Sequence, residues 1–285
     1  MSWWGRWGEE DQRGAANLVD AAATARGVAS VRTGEVLSLA VPMRGGGGTP
    51  TVGRPPMGHF MLRDGGDYAA GRPENGGFGF ADDYVTLATH GSTHIDALSH
   101  VWRDGRMYNG FPADRVTSRG AGVCGIEAVG PLVTRAILVD LVGDGPPLEP
   151  GERVSVDRLA SAVREDAAPG DALLVRTGWT DGWLAGDADV GRWAGLDRDC
   201  VDWIVQREFA VVAADNVAVE AFPSSDADCQ VPLHVALLRD HGIYFCELLD
   251  LRALAATRRT SFMLVLAPLP LVGAVGSPVN PVAVL

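Results

Sequence analysis

The sequence predicts an α/β fold, and three observations predict it. Residues 135–141, 172–177 and 210–215 are short apolar runs bounded by turn residues, the pattern of strands covered on both faces. Segments of helical period lie between them, so strand and helix alternate along the chain. No internal repeat is visible, and 285 residues, 47% hydrophobic and 21% charged, suffice for one substantial core. The expectation is a single domain spanning residues 1–285.

The chain opens with a Trp-rich arm, residues 1–20, carrying Trp3, Trp4 and Trp7. Indoles exposed at a free terminus are costly, so the arm is expected to pack on its own domain or on a neighbouring subunit. Residues 35–43 alternate enough to form a strand. Glycine and proline then crowd residues 44–79, an expected surface loop. Its glycine run at 45–48 lacks the Lys-Ser/Thr and the strand-to-helix setting of a phosphate loop. The loop is a candidate substrate lid, with His59 and Phe60 as candidate substrate contacts. Residues 84–89 are rich in strand formers, which places His90 at a strand end on the sheet's rim, with Gly91 and Ser92 opening a turn.

Beyond the strand at 135–141, Ser155 can cap a helix whose core stripe is Leu159, Ala162 and Val163, ended by Pro169-Gly170. The strand at 172–177 runs into Gly178-Trp179, and residues 197–208 read as a helix with Cys200, Trp203 and Ile204 on one side. After the strand at 210–215, Pro232 starts a helix that Gly242 ends. On it His234, Leu237, Leu238 and His241 recur at one helical face. A further apolar run, 243–249, contains Glu247, and a charge there needs a partner, most simply a cation.

The chemistry concentrates in His90-Gly91-Ser92-Thr93-His94-Ile95-Asp96-Ala97-Leu98-Ser99-His100, which gathers three of the six histidines and a carboxylate. On a helix, at about 100° per residue, Asp96 and His100 would point roughly 120° or more away from His90 and His94. A straight strand fails too, because its ends would lie roughly 33 Å apart, whereas ligands of one ion sit about 2.0–2.2 Å from it. The chain must bend to bring the four together. Imidazole with carboxylate suits a divalent ion, zinc or manganese, so the pattern His-x3-His-x-Asp-x3-His reads as a metal centre rather than a set of hydrogen-bonded core histidines.

Charge narrows the partners. A net charge of −12 argues against nucleic acid or an acidic membrane surface and for a small-molecule substrate. The N-terminus has no apolar signal segment, and Pro268 and Pro270 interrupt the longest apolar stretch, so a cytoplasmic location is expected. Cys124, Cys200, Cys229 and Cys246 form no Cys-x2-Cys pair and are expected to be free thiols.

The histidine stretch, with Val101-Trp102-Arg103-Asp104-Gly105-Arg106-Met107-Tyr108-Asn109-Gly110 after it, resembles the signature of the cyclase family of metal-dependent hydrolases, which includes bacterial kynurenine formamidase and isatin hydrolase. The family's short motif reads His-x-Gly-Thr-His-x-Asp-x-Pro-x-His; Ser92 stands at its Gly and Leu98 at its Pro, closer to the longer branch. His234, Leu237-Leu238, Gly242-Ile243 and Glu247 are similar to the family's second segment, and residues 267–283 to its C-terminal pattern. The resemblance implies a β-barrel-like mixed sheet core flanked by helices, in a homodimer or homotetramer. It implies that His90, His94, Asp96, His234 and Glu247 hold one or two divalent ions, while His100 is either the general base or a ligand of a second ion. The implied activity is hydrolysis of an amide, lactam, formamide or lactone, a cyclic or aryl amide first, with Phe60, Trp102 and Trp179 as apolar pocket walls. A metal-assisted cyclase or dehydratase, and a non-catalytic metal-stabilised binding protein, are the competing readings.

Overall fold

The computed structural model describes residues 1–46 and 53–285. They form a mixed α/β domain around a nine-stranded sheet curled into a half-barrel. In chain order its strands are β1 (Val36–Ser38), β2 (His94–Asp96), β3 (Leu132–Asp140), β4 (Ala172–Arg176), β5 (Val211–Ala214), β6 (Tyr244–Glu247), β7 (Ser261–Leu266), β8 (Gly276–Pro278) and β9 (Val282–Val284). Across the sheet the order is β1-β9-β7-β3-β4-β5-β6-β2-β8. The central four, β3 to β6, are parallel, and the flanking pairs are antiparallel. Every residue of β4 and β5 is buried, as continuous apolar runs covered on both faces require. The outermost strands β1 and β8 do not pair with each other, so the barrel stays open.

The strand expected at 84–89 is Asp82–Thr86, and it pairs with Gly58–Arg63 in an outlying hairpin. All five of its residues are exposed, so neither face is anchored to the core. His90 lies past it in a turn, and the histidine motif builds its own strand, β2, one place in from the sheet edge and covered by β8. The stretch 44–79 is likewise not all loop: it holds Gly58–Arg63 and a short helix, Gly65–Ala69, capped by Asp64. Gly47 and Gly48 of its glycine run lie outside the described residues.

The helix capped by Ser155 spans Val156–Ala162 and stops well before Pro169. Val163 is already extended, which leaves Glu165 and the Asp166 carbonyl to accept from Thr260 and Arg135. The helix begun at Pro232 is π-helical over His234–Arg239. The wider i→i+5 turn adds about one residue per turn, so His234 and His241 leave their common face. His241 instead meets the carbonyls of Ala236 and Met1 and packs edge-on against Trp3, fastening the N-terminal arm to the domain. Trp4 Nε1 donates to Arg239 O beside it. Among the described residues no helix is long and apolar enough to cross a membrane.

Candidate metal centre

Strand register builds the centre. On β2, His94 and Asp96 lie two residues apart and share a face, while Ile95 between them is buried in the core. β6 places Glu247 directly opposite His94, and paired residues present their side chains to the same face. On the other side β8 sets Gly276 opposite Asp96. A Cβ at Gly276 would stand 2.4 Å from His90 Nε2, so this glycine leaves the space in which the His90 ring reaches Asp96. Thr93 fastens the entry to β2: its hydroxyl donates to Leu248 O at 2.6 Å and accepts from Val41 N at 2.9 Å. His234 enters from the π-helical turn, and His100 returns after the turn that ends β2, its ring stacked on His90 at 4.2 Å. The chain bends on both sides of β2, as the spacing of the motif demanded.

His90 Nε2 and His94 Nε2 lie 3.1 and 3.4 Å from Asp96 Oδ1, and His234 Nε2 lies 3.6 Å from Asp96 Oδ2. His94 Nε2 and His234 Nε2 are each 3.3 Å from a Glu247 oxygen. All five residues are buried. Yet His90 Nε2, His94 Nε2, both Asp96 oxygens and Glu247 Oε1 make no aligned hydrogen bond. A buried polar atom without a partner is costly, and five converging on one place are what a cation satisfies. Ligand atoms of His90, His94 and Asp96 fall within 4.8 Å of one another, as do those of Asp96, His100 and His234. Donors held about 2.0–2.2 Å from one ion have separations of this order. The residues present therefore fit a divalent ion.

The far side of each ring is fixed as well. His94 Nδ1 donates to Ser92 O at 2.7 Å, and His234 Nδ1 donates to Glu220 Oε1 at 2.6 Å, which turns each Nε2 towards the cluster. His90 Nδ1 lies 3.0 Å from Thr89 Oγ1. Glu220 had not been singled out in the sequence. Its signal was available, because it interrupts an apolar stretch at 217–222 just as Glu247 interrupts 243–249.

Charge inside the cluster is shared as protons when no ion is bound. Burial opposes the charged form of His94, but Asp96 and Glu247 outweigh it and raise the ring to about 9. His234 is raised for the same reason, with Glu220 adding to the pull. Burial also opposes ionisation of Asp96, yet the surrounding imidazoles hold its carboxyl well below the usual range. Glu247 is lowered against both burial and Asp96 by His234 and His94. His100 moves the other way, to about 4, because burial and the neighbouring His90 and His234 rings outweigh Asp96. A cation competes with these protons for the same atoms.

At the turn that follows His90 opens a cavity of about 440 Å³ whose wall includes Gly91 and Ser92 of the motif, with Val41, Met43, Arg44, Leu87 and Trp183, and none of the residues of the centre. None of His59, Phe60, Trp102 or Trp179 lines it. His59 pairs with Asp83 at 2.8 Å on the outlying hairpin, Phe60 stacks on Tyr84 there, and Trp102 is exposed. Trp179 is buried behind the wall, stacked at 6.2 Å on Trp183 one helical turn away.

Residues 37–221 match the model of the family described as "Putative cyclase". A crystal structure of a novel cyclase aligns with 100% of this chain and 98% of its own, with a TM-score of 0.92 and 36% identity. Kynurenine formamidase of Salinibacter ruber is 26% identical over 203 residues, 70% of this chain and 77% of that protein. Isatin hydrolase A from Ralstonia solanacearum shares the fold, with a TM-score of 0.65 and 20% identity over 92% of this chain and 94% of its own. With the histidine motif inside the matched segment and the whole length superposed on a cyclase, the chain belongs to the cyclase family.

Proposed function

We propose that the protein is a metal-dependent hydrolase of a small-molecule carbonyl bond, an amide, lactam, formamide or lactone, with a cyclic or aryl amide favoured. The observation that carries this is the convergence of five buried ligand atoms from His90, His94, Asp96 and Glu247 that make no aligned hydrogen bond. Those residues and His234 would hold one or two divalent ions, zinc or manganese. When bound, such an ion supplies Lewis acidity towards a carbonyl oxygen and towards water. Ser92 O and Glu220 keep His94 and His234 in the ligating tautomer. His100, stacked on His90 at the edge of the cluster, is assigned to take the proton at a ring nitrogen. The cavity walls receive the apolar body of the substrate, and Arg44 is the charged side chain among them. The names of the similar formamidase and isatin hydrolase support hydrolysis.

Elemental analysis combined with turnover of a panel of lactams, formamides and lactones tests this. A divalent metal and a ring-opened or deformylated product are expected. Absence of bound metal, with no activation by zinc or manganese after chelation, overturns it. The name of the similar cyclase favours a second reading, ring closure or dehydration at the same centre, which the identity of the product separates.

The same reading makes the protein a cytoplasmic homodimer or homotetramer without nucleic-acid or membrane partners. Its four free cysteines suit a reducing compartment. The outlying hairpin and its connecting loop expose Phe60, Leu62, Phe78, Tyr84 and Val85, a surface that a second copy of the chain would cover. Sedimentation equilibrium should show an oligomer that Leu62→Asp weakens, and a monomeric wild type would set this part aside.

A further inference from the structure

We propose that Asn216 is a positioning residue for the divalent-ion centre, its side chain setting the carboxylate of Glu220 through the left-handed residue Val219. The proposal rests on the metal reading above. Val219 has φ 61° and Leu248 φ 59°, a region where a β-branched residue is an outlier and any side chain larger than glycine's is strained. Both side chains are fully buried. Each residue adjoins a carboxylate of the centre. Val219 precedes Glu220, which accepts from Leu233 N at 2.8 Å, His234 N at 3.1 Å and His234 Nδ1 at 2.6 Å. Leu248 follows Glu247, the last residue of β6.

Asn216 reaches both turns, with its side chain at Val219 and with its backbone at Leu248, whose carbonyl Thr93 also holds. Asn216 Oδ1 accepts from Val219 N at 2.7 Å, and Nδ2 donates to Val219 O at 3.3 Å and to Ala194 O at 2.6 Å. Its backbone carbonyl accepts from Leu248 N at 2.9 Å. A carboxamide offers acceptor and donors together, which neither aspartate nor an aliphatic side chain of that length does. Strained backbone persists only where its surroundings over-determine it. Releasing the amide lets Val219 relax, which swings Glu220 off the His234 ring and frees that ring to turn.

The test is a cobalt(II) titration followed by visible absorption, with thermal melting alongside, on wild type, N216A, V219G and N216A/V219G. N216A should weaken cobalt binding by about 10–100-fold while keeping a cooperative melt. V219G alone should bind as wild type, and in the double variant it should restore most of the lost affinity, because glycine adopts positive φ without a clamp. Unchanged cobalt affinity in N216A overturns the proposal, and so does failure of V219G to rescue it. Should N216A not fold, N216S is compared in the same way: weak binding restored by V219G supports the proposal and wild-type affinity overturns it. A wild-type protein that takes up no cobalt overturns the metal reading itself and this proposal with it.

Discussion

Asp215, just past the end of β5, and Asp96, at the end of β2, are both fully buried carboxylates, and the chain treats them in opposite ways. Asp215 Oδ1 accepts from Thr177 N and Thr177 Oγ1, and Oδ2 from Gly178 N, each at 2.7 Å. It ties the end of β4 to the end of β5. Asp96 receives no aligned hydrogen bond on either oxygen and faces imidazoles instead. Their ionisation diverges accordingly. Burial lifts Asp215 to about 6 in spite of its three donors, whereas the imidazoles around Asp96 overcome burial and hold it low. Burial alone therefore does not separate a structural charge from one proposed to hold an ion. What separates them is whether the fold itself satisfies the charge.

Removing each carboxylate should give the largest effects, and crossed ones. Asp96→Ala should reduce bound metal to background in elemental analysis. It should also abolish metal-dependent stabilisation, about 4 kcal/mol at an ion concentration 1,000 times Kd. Asp215→Ala should keep its metal but melt lower, since each orphaned donor of Thr177 and Gly178 costs about 1–3 kcal/mol. Metal lost from the second variant and kept by the first would break the comparison.

His100 tests where the open site ends. As general base, His100→Ala should lower turnover by about 10²–10⁴ with metal content intact. As a ligand of a second ion it should lose about one equivalent, and Glu247→Ala should lose the same one. Normal metal and normal turnover in His100→Ala reject both roles.

The Asp215 carboxyl should also write itself into the pH dependence of stability. Its folded-state pKa lies near 6, above the ordinary 3.8, so the folded protein holds this proton more tightly than the unfolded chain does. The associated stability is complete below pH 4 and is lost as pH rises through 6, about 2–3 kcal/mol in all. Urea unfolding of wild type and Asp215→Asn at pH 4 and pH 7 isolates it, because other titrations cancel in the difference. The wild type's advantage should shrink with rising pH; a flat or growing advantage contradicts the assignment.

These contrasts also mark what could be read from sequence. Strands β3 to β6 were legible because their apolar runs are continuous, and the buried histidine cluster because its imidazoles and carboxylate crowd eleven residues. β2 was not, since a strand of two polar residues around one isoleucine carries no apolar pattern. The composition of residues 84–86 announces a strand but not its partner, and the partner proved to be Gly58–Arg63, outside the main sheet. Trp179 and Trp183 sit one turn apart on the same helix, and local periodicity does not say which of the two faces the cavity. The partners of Glu220 lie 13 and 14 residues further along the chain, in the π-helical region, where no local spacing rule reaches.

Glu220 combines both behaviours, and so offers the finest test of the contrast. Its oxygens are satisfied by the chain, as those of Asp215 are, yet one of the donors is the His234 ring that serves the centre. Glu220→Gln preserves shape while turning one acceptor oxygen into an NH2 donor. Three N–H groups then compete for a single oxygen, and wherever the NH2 faces Nδ1, His234 must shift its proton to Nε2, which blocks the atom turned towards Asp96 and Glu247. Metal affinity, measured by competition with a chelator, should fall by about 10–100-fold, while Asp215→Asn leaves it unchanged. Wild-type affinity in Glu220→Gln would place Glu220 with Asp215 as a purely structural charge, and the tautomer of His234 would then have to be set by something other than its carboxylate partner.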